Sequence, residues 1–331
     1  MSLTDHSLTT SPPMMEHAID VLVVQGGPNP WQPRGNVSSL ANLIDEELQT
    51  QPAQLVVLSE LALTPYFAAS LDRSWLTEGH KVADTEIGLF AEIAERHDTH
   101  IVVPFAERDP ATDTLHNSTL ILDRNGQVVP GIYCSGPKFG EQTPTFRKVH
   151  LSENNNSTPG VHEKYFFNAG QGFVVFDTDL GRIGPVICYD RSFPESWRAV
   201  ADAGAQIVPV PIATARPERV RMLQQELSVA AVQNGVFVIA ACKGGIETGP
   251  NASVTYSGGS MVIGPSGSVL AQAPAREGGL AIRARLDPAE LIEHTQTFHY
   301  RRDRQPTAYS TPGSTPSRVH LTSPNYQGVT P

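Results

Sequence analysis

Cysteine is scarce in this chain, with only three among 331 residues: Cys134, Cys188 and Cys242. An odd number this small excludes a disulfide framework, and the spacing lacks the paired Cys-x-x-Cys pattern of a zinc site. Free thiols are typical of a reducing compartment. We therefore expect a cytoplasmic protein that has no structural metal.

Positive charge and long apolar runs are scarce as well. The chain has 24 Lys and Arg against 34 Asp and Glu, a formal net charge of −10. Nucleic acids bind basic surfaces, so this balance excludes a nucleic-acid partner. No apolar run approaches the roughly 20 residues that cross a bilayer, so no membrane partner is expected. Residues 1–16 have neither the basic nor the apolar region of a secretory signal, and we interpret them as a disordered leader.

Short β-branched runs alternate with longer helical patterns along the chain. "AIDVLVVQ" (18–25) and "LVVLSEL" (55–61) are typical of buried strands. "QIVPVPIA" (206–213) contains two prolines, which favours a strand at a functional mouth or a sheet edge. Residues 217–234 form a helical pattern that Gly235 ends.

This order has βα units at both ends and hairpins at the centre, which predicts an α/β sandwich of sheets covered by helices in one domain, 17–302. Residues 303–331 are rich in Pro, Ser and Thr, so they are expected to form an extended or disordered tail.

Cys188 ends an apolar run in "GPVICYDRSFPESWRAV" (184–200), and a helix is predicted from Pro194. A free cysteine in such a place can be a small buried apolar residue. It can also be a nucleophile, since a nearby helix N-terminus lowers the pKa of a thiol. Position alone leaves both interpretations open.

A thiol nucleophile needs a base and a group that stabilises the oxyanion. Glu60 ends the strand in "VVLSEL", where partial burial would raise the pKa of its carboxyl and suit it to proton transfer. It could equally form a surface ion pair. Lys148 in "TFRKVHL" lies between apolar neighbours, where it could face a site or be an edge-strand charge that blocks aggregation.

Three segments in order, "VVLSEL", "FRKVHL" and "GPVICYDRSFPE", resemble the signature of the nitrilase superfamily, the carbon–nitrogen hydrolases. The strand order is similar from about residue 18 to 300. The resemblance implies a Glu60–Lys148–Cys188 triad in a four-layer αββα sandwich, without cofactor or metal. It also implies a homodimer or higher homo-oligomer.

The same resemblance implies a mechanism. Glu60 takes the proton of the Cys188 thiol, which attacks an amide-type carbon, while Lys148 and the backbone N–H after the cysteine hold the oxyanion. "VHEKYFFNAG" places Glu163 as a second carboxylate that positions Lys148 or the substrate amine, although a loop charge beside Lys164 is the alternative.

The residues after the cysteine carry substrate information. "CYDRSFPE" is more similar to the amidase and carbamoylase branches than to true nitrilases. In N-carbamoyl-amino-acid hydrolases, arginines of this stretch grip the substrate carboxylate, which implies that role for Arg191. The second arginine of the D-specific enzymes is Ser192 here, and Arg216 or Arg219 could replace it.

Further residues are candidates for the walls of the pocket. Tyr189, His150, His162 and Thr214 are expected to contact substrate, although ordinary structural roles are open for the two histidines. The long stretch 130–144 is expected to form a lid or pocket wall.

The leading functional hypothesis is a hydrolase of a small N-carbamoyl amino acid or related linear amide. An aliphatic amidase or ω-amidase is the alternative within the class. From other classes, the chain could be a non-catalytic interaction subunit of the same fold, or a redox sensor in which Cys134 or Cys242 resolves a disulfide.

Overall fold

The computed structural model describes residues 12–32, 35–157, 159–214 and 220–309. It divides into a compact unit that ends at Phe298 and a short second unit from His299 onward. The expected tail, 303–331, belongs to the second unit and is described only to residue 309. Arg216 and Arg219 lie outside the described residues.

The described residues contain the following strands: β1 (Ile19–Gln25), β2 (Leu55–Val57), β3 (His100–Arg108), β4 (Leu115–Leu122), β5 (Gly131–Tyr133), β6 (Gln142–Thr143), β7 (Phe146–Arg147), β8 (Glu153–Asn154), β9 (Val161–His162), β10 (Val174–Thr178), β11 (Gly181–Ile183), β12 (Ile207–Ile212), β13 (Phe237–Cys242), β14 (Ile246–Thr248), β15 (Ser253–Thr255), β16 (Met261–Ile263), β17 (Val269–Gln272) and β18 (Leu280–Leu286). The α-helices are α1 (Val37–Thr50), α2 (Thr85–His97), α3 (Glu163–Phe166), α4 (Pro194–Asp202), α5 (Val220–Asn234), α6 (Pro288–Thr297) and α7 (Pro306–Tyr309).

Two large sheets lie face to face. The first has the order β18-β1-β2-β3-β4-β7 and the second has the order β17-β16-β13-β12-β11-β10-β5-β6. Side chains alternate across a strand, so Val21 and Val23 of β1 join the core between the sheets. Leu22 and Val24 join the core under α1 and α2. Burial on both faces explains the continuous apolar run of this strand.

The outer face of the second sheet is covered by α4 and α5. Trp197 and Val200 of α4, with Leu223 and Leu227 of α5, are buried in the same core as the inner faces of both sheets. The layers are therefore helix, sheet, sheet, helix. The predicted four-layer α/β sandwich is confirmed.

Several strand boundaries differ from those predicted. The strand that precedes Glu60 ends at Val57, and the strand that precedes Lys148 is only β7.

The strand β12 lies inside its sheet, between β11 and β13, so the sheet-edge alternative is wrong. Ala213 and Thr214, directly after this strand, line the cavity that contains Cys188, which agrees with the functional-mouth alternative. The backbone of Pro209 faces the segment after β11, since its carbonyl accepts from the N–H of Val186. The paired part of β11 ends before this point, so the missing N–H of the proline costs no hydrogen bond of the regular ladder.

The stretch 130–144 is not a lid or pocket wall. It forms the hairpin of β5 and β6 at the edge of the second sheet, and none of its residues lines the cavity that contains Cys188. The extra residues add strands to the edge of the second sheet, and the length of the segment does not by itself predict this.

The end of the expected leader, 1–16, also needs a correction. Met15 is buried, and its backbone N–H donates to Oε1 of Gln206 at 2.8 Å. These last residues therefore pack with the compact unit, whereas residues 1–11 lie outside the described part of the chain. Among the described residues, no helix has the length and apolarity to span a bilayer.

Gly170 lies directly against the backbone of the segment that carries Lys148. Its N–H donates to the carbonyl of Lys148 at 2.8 Å, and a Cβ there would lie 2.0 Å from the carbonyl oxygen of Arg147. Because backbone must move to admit a methyl group, Gly170→Ala should lower the free energy of unfolding by about 3 kcal/mol or more, measured by denaturant unfolding.

The matched control is Gly88→Ala in α2, where an added Cβ meets no atom within 4 Å. This change should raise the free energy of unfolding by up to about 1 kcal/mol, since alanine favours helix. Equal stability of the two variants would contradict the close approach of the chain at Gly170.

Candidate active site

One cavity of about 620 Å³ brings the three predicted segments together. Lys148, Glu163 and Cys188 all line it, and the buried carboxylate of Glu60 lies directly behind them. The remaining lining residues are Tyr66, Ala69, Ser152, Glu153, Asn154, Ser157, Pro159, Gly160, Val161, Tyr189, Arg191, Ala213, Thr214 and Val254.

Glu60 follows β2 and is fully buried. Its Oε1 accepts from Nζ of Lys148 at 2.8 Å and from Nδ2 of Asn117 at 2.7 Å, and its Oε2 accepts from the N–H of Ala213 at 2.8 Å. Burial alone would raise the pKa of Glu60, but the Lys148 charge and these hydrogen bonds hold it below its ordinary value. The prediction of a raised Glu60 pKa is therefore wrong. The residues that form these contacts lie far from Glu60 in sequence, so the local segment does not reveal them.

Lys148 lies just after the edge strand β7, yet its side chain is fully buried. Its ammonium group bridges the two carboxylates, at 2.8 Å from Oε1 of Glu60 and 2.6 Å from Oε1 of Glu163. Burial would lower the pKa of Lys148, but the two carboxylates raise it, so the side chain is a cation at every physiological pH. The alternative of a solvated edge-strand charge is excluded by this burial.

Glu163 begins α3 and is buried, so the alternative of a surface loop charge beside Lys164 is wrong. Its Oε1 also accepts from the hydroxyl of Tyr66 at 2.9 Å, and its Oε2 accepts from the N–H of Ser152 at 2.7 Å. Burial raises the pKa of Glu163, and Lys148 offsets this only in part because the negative Glu60 raises it further.

Cys188 begins a short 3-10 helix, Cys188–Ser192, with a backbone φ of +44°. The Glu60 carboxylate lies close enough for its charge to act on this thiol, and Nη1 of Arg191 lies 3.7 Å from the sulfur. Burial raises the pKa of this thiol to about 12, and the neighbouring Glu60 charge adds to the effect. The predicted lowering of the thiol pKa by the N-terminus of the helix at Pro194 is wrong, because burial and the Glu60 charge dominate the pKa of this thiol.

The arrangement therefore holds a neutral thiol next to an ionised carboxylate that can accept its proton. Lys148 adds a permanent cation at the cavity wall. A thiol, a base and a fixed positive charge around one cavity are the groups that nucleophilic acyl transfer requires.

Three of the expected substrate contacts line the cavity: Tyr189, Arg191 and Thr214. Arg191 is largely buried, donating from Nη1 to the carbonyl of Cys188 at 2.7 Å and from Nε to Glu226 at 3.2 Å. Its Nη1 also lies 3.7 Å from the Cys188 sulfur, which places the guanidinium group beside the thiol at the cavity.

The two histidines are not among the residues that line this cavity, so the expectation that they form part of its walls is wrong. His150 stacks on Phe193 with ring centroids 3.7 Å apart, and its Nδ1 lies 2.8 Å from Oδ1 of the buried Asp190. It therefore helps to hold the 3-10 helix that carries Cys188. His162 belongs to β9, and its ring lies under Gly160.

Sequence reasoning missed Tyr66 and Asn117. Tyr66 contacts Glu163, and Asn117 of β4 contacts Glu60. Tyr66 follows Glu60 by six residues in "ELALTPY", but no spacing rule predicts its partner, which is 97 residues further along the chain.

Potential metal ligands gather elsewhere. Among the described residues, one group of His, Cys, Asp and Glu side chains is close enough to hold a cation, with ligand atoms within 4.8 Å: His80, Asp84 and Glu86. None of the three lines the cavity around Cys188.

Comparison with known proteins supports the chemistry that this geometry indicates. The family model described as carbon-nitrogen hydrolase matches residues 21–294. The chain belongs to the carbon-nitrogen hydrolase family. It is 30% identical to a nitrilase of Pyrococcus abyssi over 78% of this chain and 86% of the relative.

Two further comparisons extend the likeness. The chain is 28% identical to an N-carbamoylputrescine amidase of Arabidopsis thaliana, over 83% of this chain and 88% of the relative. The crystal structure of a carbon-nitrogen hydrolase from Helicobacter pylori G27 superposes with a TM-score of 0.77 at 25% identity, covering 88% of this chain and 97% of that one. This carbon-nitrogen hydrolase is thus a hydrolytic enzyme of the nitrilase superfamily that acts on amides.

The raised thiol pKa gives a direct test of the resting site. Because the folded pKa of Cys188 is about 12, the thiolate should be absent at neutral pH and increase only at strongly alkaline pH. The measurement is the ultraviolet absorbance of thiolate as pH rises, taken as the difference between the unmodified protein and Cys188→Ala.

This subtraction removes Cys134 and Cys242, whose thiols are also raised to a pKa of about 12 by burial. A difference signal with a midpoint below about pH 8 would show a preformed thiolate and contradict the described electrostatics.

Proposed function

We propose that this enzyme hydrolyses a small N-carbamoyl amino acid or a related linear amide, with Cys188 as its nucleophile. The observation that carries the proposal is the meeting of Cys188, Lys148 and Glu163 at one cavity, with the buried Glu60 carboxylate 2.8 Å from Nζ of Lys148. Glu60 is the general base, Lys148 supports the oxyanion and Glu163 positions Lys148.

In the first step the thiol proton moves to Glu60 as sulfur forms a bond to the carbonyl carbon. The carbonyl π electrons move to oxygen, giving a tetrahedral oxyanion. Two N–H groups of Lys148 are used by carboxylates, so the third remains for this oxygen, together with the backbone N–H of Tyr189. That N–H lies in the first turn of the 3-10 helix, where amides have no partner within the helix.

In the second step the oxyanion collapses and the carbon–nitrogen bond breaks. Glu60 returns the proton to the departing nitrogen, which leaves as ammonia or an amine, and an acyl group remains on Cys188, as a thioester from a simple amide or a thiocarbamate from a carbamoyl substrate. Water then enters, Glu60 takes one of its protons and the new hydroxyl attacks the acyl carbon. The thiol leaves with the proton from Glu60, and every group needed for these steps belongs to this chain.

The substrate class is supported by Arg191. This residue lines the cavity with its guanidinium group beside the Cys188 sulfur, and a guanidinium in such a place can bind the carboxylate of an amino-acid substrate. The curated relative that acts on N-carbamoylputrescine supports a carbamoyl group as the reacting end. A homodimer or higher homo-oligomer and a cytoplasmic location stay predictions.

Cys188→Ala should abolish turnover and leave the fold intact, because it removes the nucleophile and no packing larger than one sulfur atom. The measurement is ammonia release from N-carbamoyl-D- and L-amino acids, N-carbamoyl-β-alanine, aliphatic amides, ω-amides of dicarboxylates and a nitrile. Circular dichroism of both proteins is the control for folding.

Each result of this panel has a distinct meaning. Turnover of ω-amides or aliphatic amides alone would replace the carbamoyl assignment by the amidase alternative. Undiminished hydrolysis by Cys188→Ala would show that the nucleophile is another group. A folded protein with no turnover of any class would favour a non-catalytic interaction subunit.

Arg191→Ala should raise KM for carboxylate-bearing substrates by about tenfold or more relative to neutral amides, since it removes a charge-assisted contact. The ratio of the two effects is the measurement, because Arg191 also contacts the carbonyl of Cys188 and its removal can lower kcat for every substrate. The control is Arg285→Ala, at an exposed surface arginine. Equal effects on both substrate types would reject the carboxylate contact.

A further inference from the structure

Tyr66 is buried beside the reacting groups, but the proposed mechanism does not use it. Its side chain lines the cavity, and its hydroxyl donates to Oε1 of Glu163 at 2.9 Å. The same oxygen accepts from Nζ of Lys148 at 2.6 Å. One carboxylate oxygen therefore joins the phenol to the ammonium group.

Glu163 depends on few contacts for its orientation. Its other oxygen accepts from the N–H of Ser152, so a rotation of the carboxylate is restrained by that amide on one side and by Tyr66 and Lys148 on the other. Removal of the hydroxyl would leave the shared oxygen with Lys148 alone. A small rotation of Glu163 would then carry the ammonium group with it.

Tyr66 is itself held by a second buried ion pair. Its backbone N–H donates to Oε2 of Glu247 at 2.8 Å, and Oε1 of Glu247 lies 3.0 Å from Nζ of Lys243. Lys243 also donates to the carbonyl of Thr64 at 2.8 Å, and the hydroxyl of Tyr256 donates to Glu247. The backbone at Tyr66 is therefore tied to a network of three buried polar side chains.

The free energy needed to bury Lys243 and Glu247 indicates that this second pair serves to fix the backbone and adds little stability. Lys243 and Glu247 are both fully buried, and burying two charges offsets much of their mutual attraction. Such a pair adds little to stability, but it fixes the chain on both sides of Pro65 and so defines where the Tyr66 phenol points. Rigid placement is what a residue needs when it orients a reacting group.

We propose that Tyr66 is a positioning residue of the reaction: its hydroxyl orients Glu163, and through Glu163 it holds the Lys148 ammonium group where the oxyanion forms. This inference rests on the proposed function. It adds a role that the triad alone does not contain, because Tyr66 acts through Glu163 and not on the substrate.

The test is Tyr66→Phe in the full chain, which removes one hydroxyl and keeps the ring. We expect kcat to fall about tenfold or more, with KM changed less than about twofold, because the hydrogen bond that is removed acts on the oxyanion stage. The acidic limb of the kcat–pH profile should move to higher pH. The hydroxyl stabilises the ionised form of Glu163, so its removal raises the pKa of that carboxyl.

The matched control is Tyr133→Phe, at a buried tyrosine of β5 outside this cavity. It should leave kcat and the pH profile unchanged. A double-mutant cycle with Glu163→Gln adds a second readout. If Tyr66 acts through Glu163, its substitution in that background should cost less than about twofold.

Two outcomes separate this inference from the proposed function. Turnover that needs Cys188 but keeps its kcat and acidic limb in Tyr66→Phe would overturn the role of Tyr66 alone. A fall in kcat of the same size in the Glu163→Gln background would also overturn it, since the effect would then bypass Glu163. Absence of Cys188-dependent turnover in the unmodified protein would overturn both.

Discussion

The site depends on one buried cation. The Lys148 ammonium group lies between two carboxylates in the interior, and neither Glu60 nor Glu163 could remain ionised there without it. Lys148 follows β7, the edge strand of the first sheet. Glu60 also accepts a hydrogen bond from the N–H of Ala213, which follows β12 of the second sheet. One ammonium group and two carboxylates thereby connect the catalytic chemistry with the packing of the two sheets.

This charge balance also decides how the nucleophile is kept before reaction. Glu60 has a lowered pKa and Cys188 a raised one, so the proton stays on sulfur until a substrate carbonyl offers a place for the negative charge. A thiol held in this state is a weak target for oxidants and metals, which react with the thiolate. Attack and proton transfer are therefore expected to occur together.

The sequence alone is sufficient for the sandwich and for the triad positions. Continuous apolar runs followed by Glu60 and by Cys188 carry a local signal, because functional side chains commonly lie at the carboxyl ends of buried strands. The sequence does not show that the two strands belong to different sheets. Lys148 and Glu163 need the family resemblance, since a short strand and a four-residue helix have no periodicity of their own.

What local reasoning cannot supply is the effect of distant partners. The predicted pKa directions of Glu60 and Cys188 are wrong because Lys148 joins Glu60 from 88 residues away, and burial beside Glu60 dominates the thiol. His150 lies close to Lys148 in sequence, which favours a place in the pocket, but Asp190, 40 residues later, turns it toward Phe193. The hairpin at 130–144 differs from the expected lid because the length of a loop does not show which sheet edge it joins.

The backbone of Cys188 has a further consequence for how such a chain could change over generations. At a φ of +44° a side chain with a Cβ is strained by about 1–3 kcal/mol, whereas glycine adopts this conformation freely. A descendant that no longer needed hydrolysis would gain stability by replacing the cysteine with glycine. Lys148 could not be replaced alone, because its removal would leave two carboxylates in the interior without a counter-charge. Inactive descendants should therefore keep this lysine longer than the nucleophile.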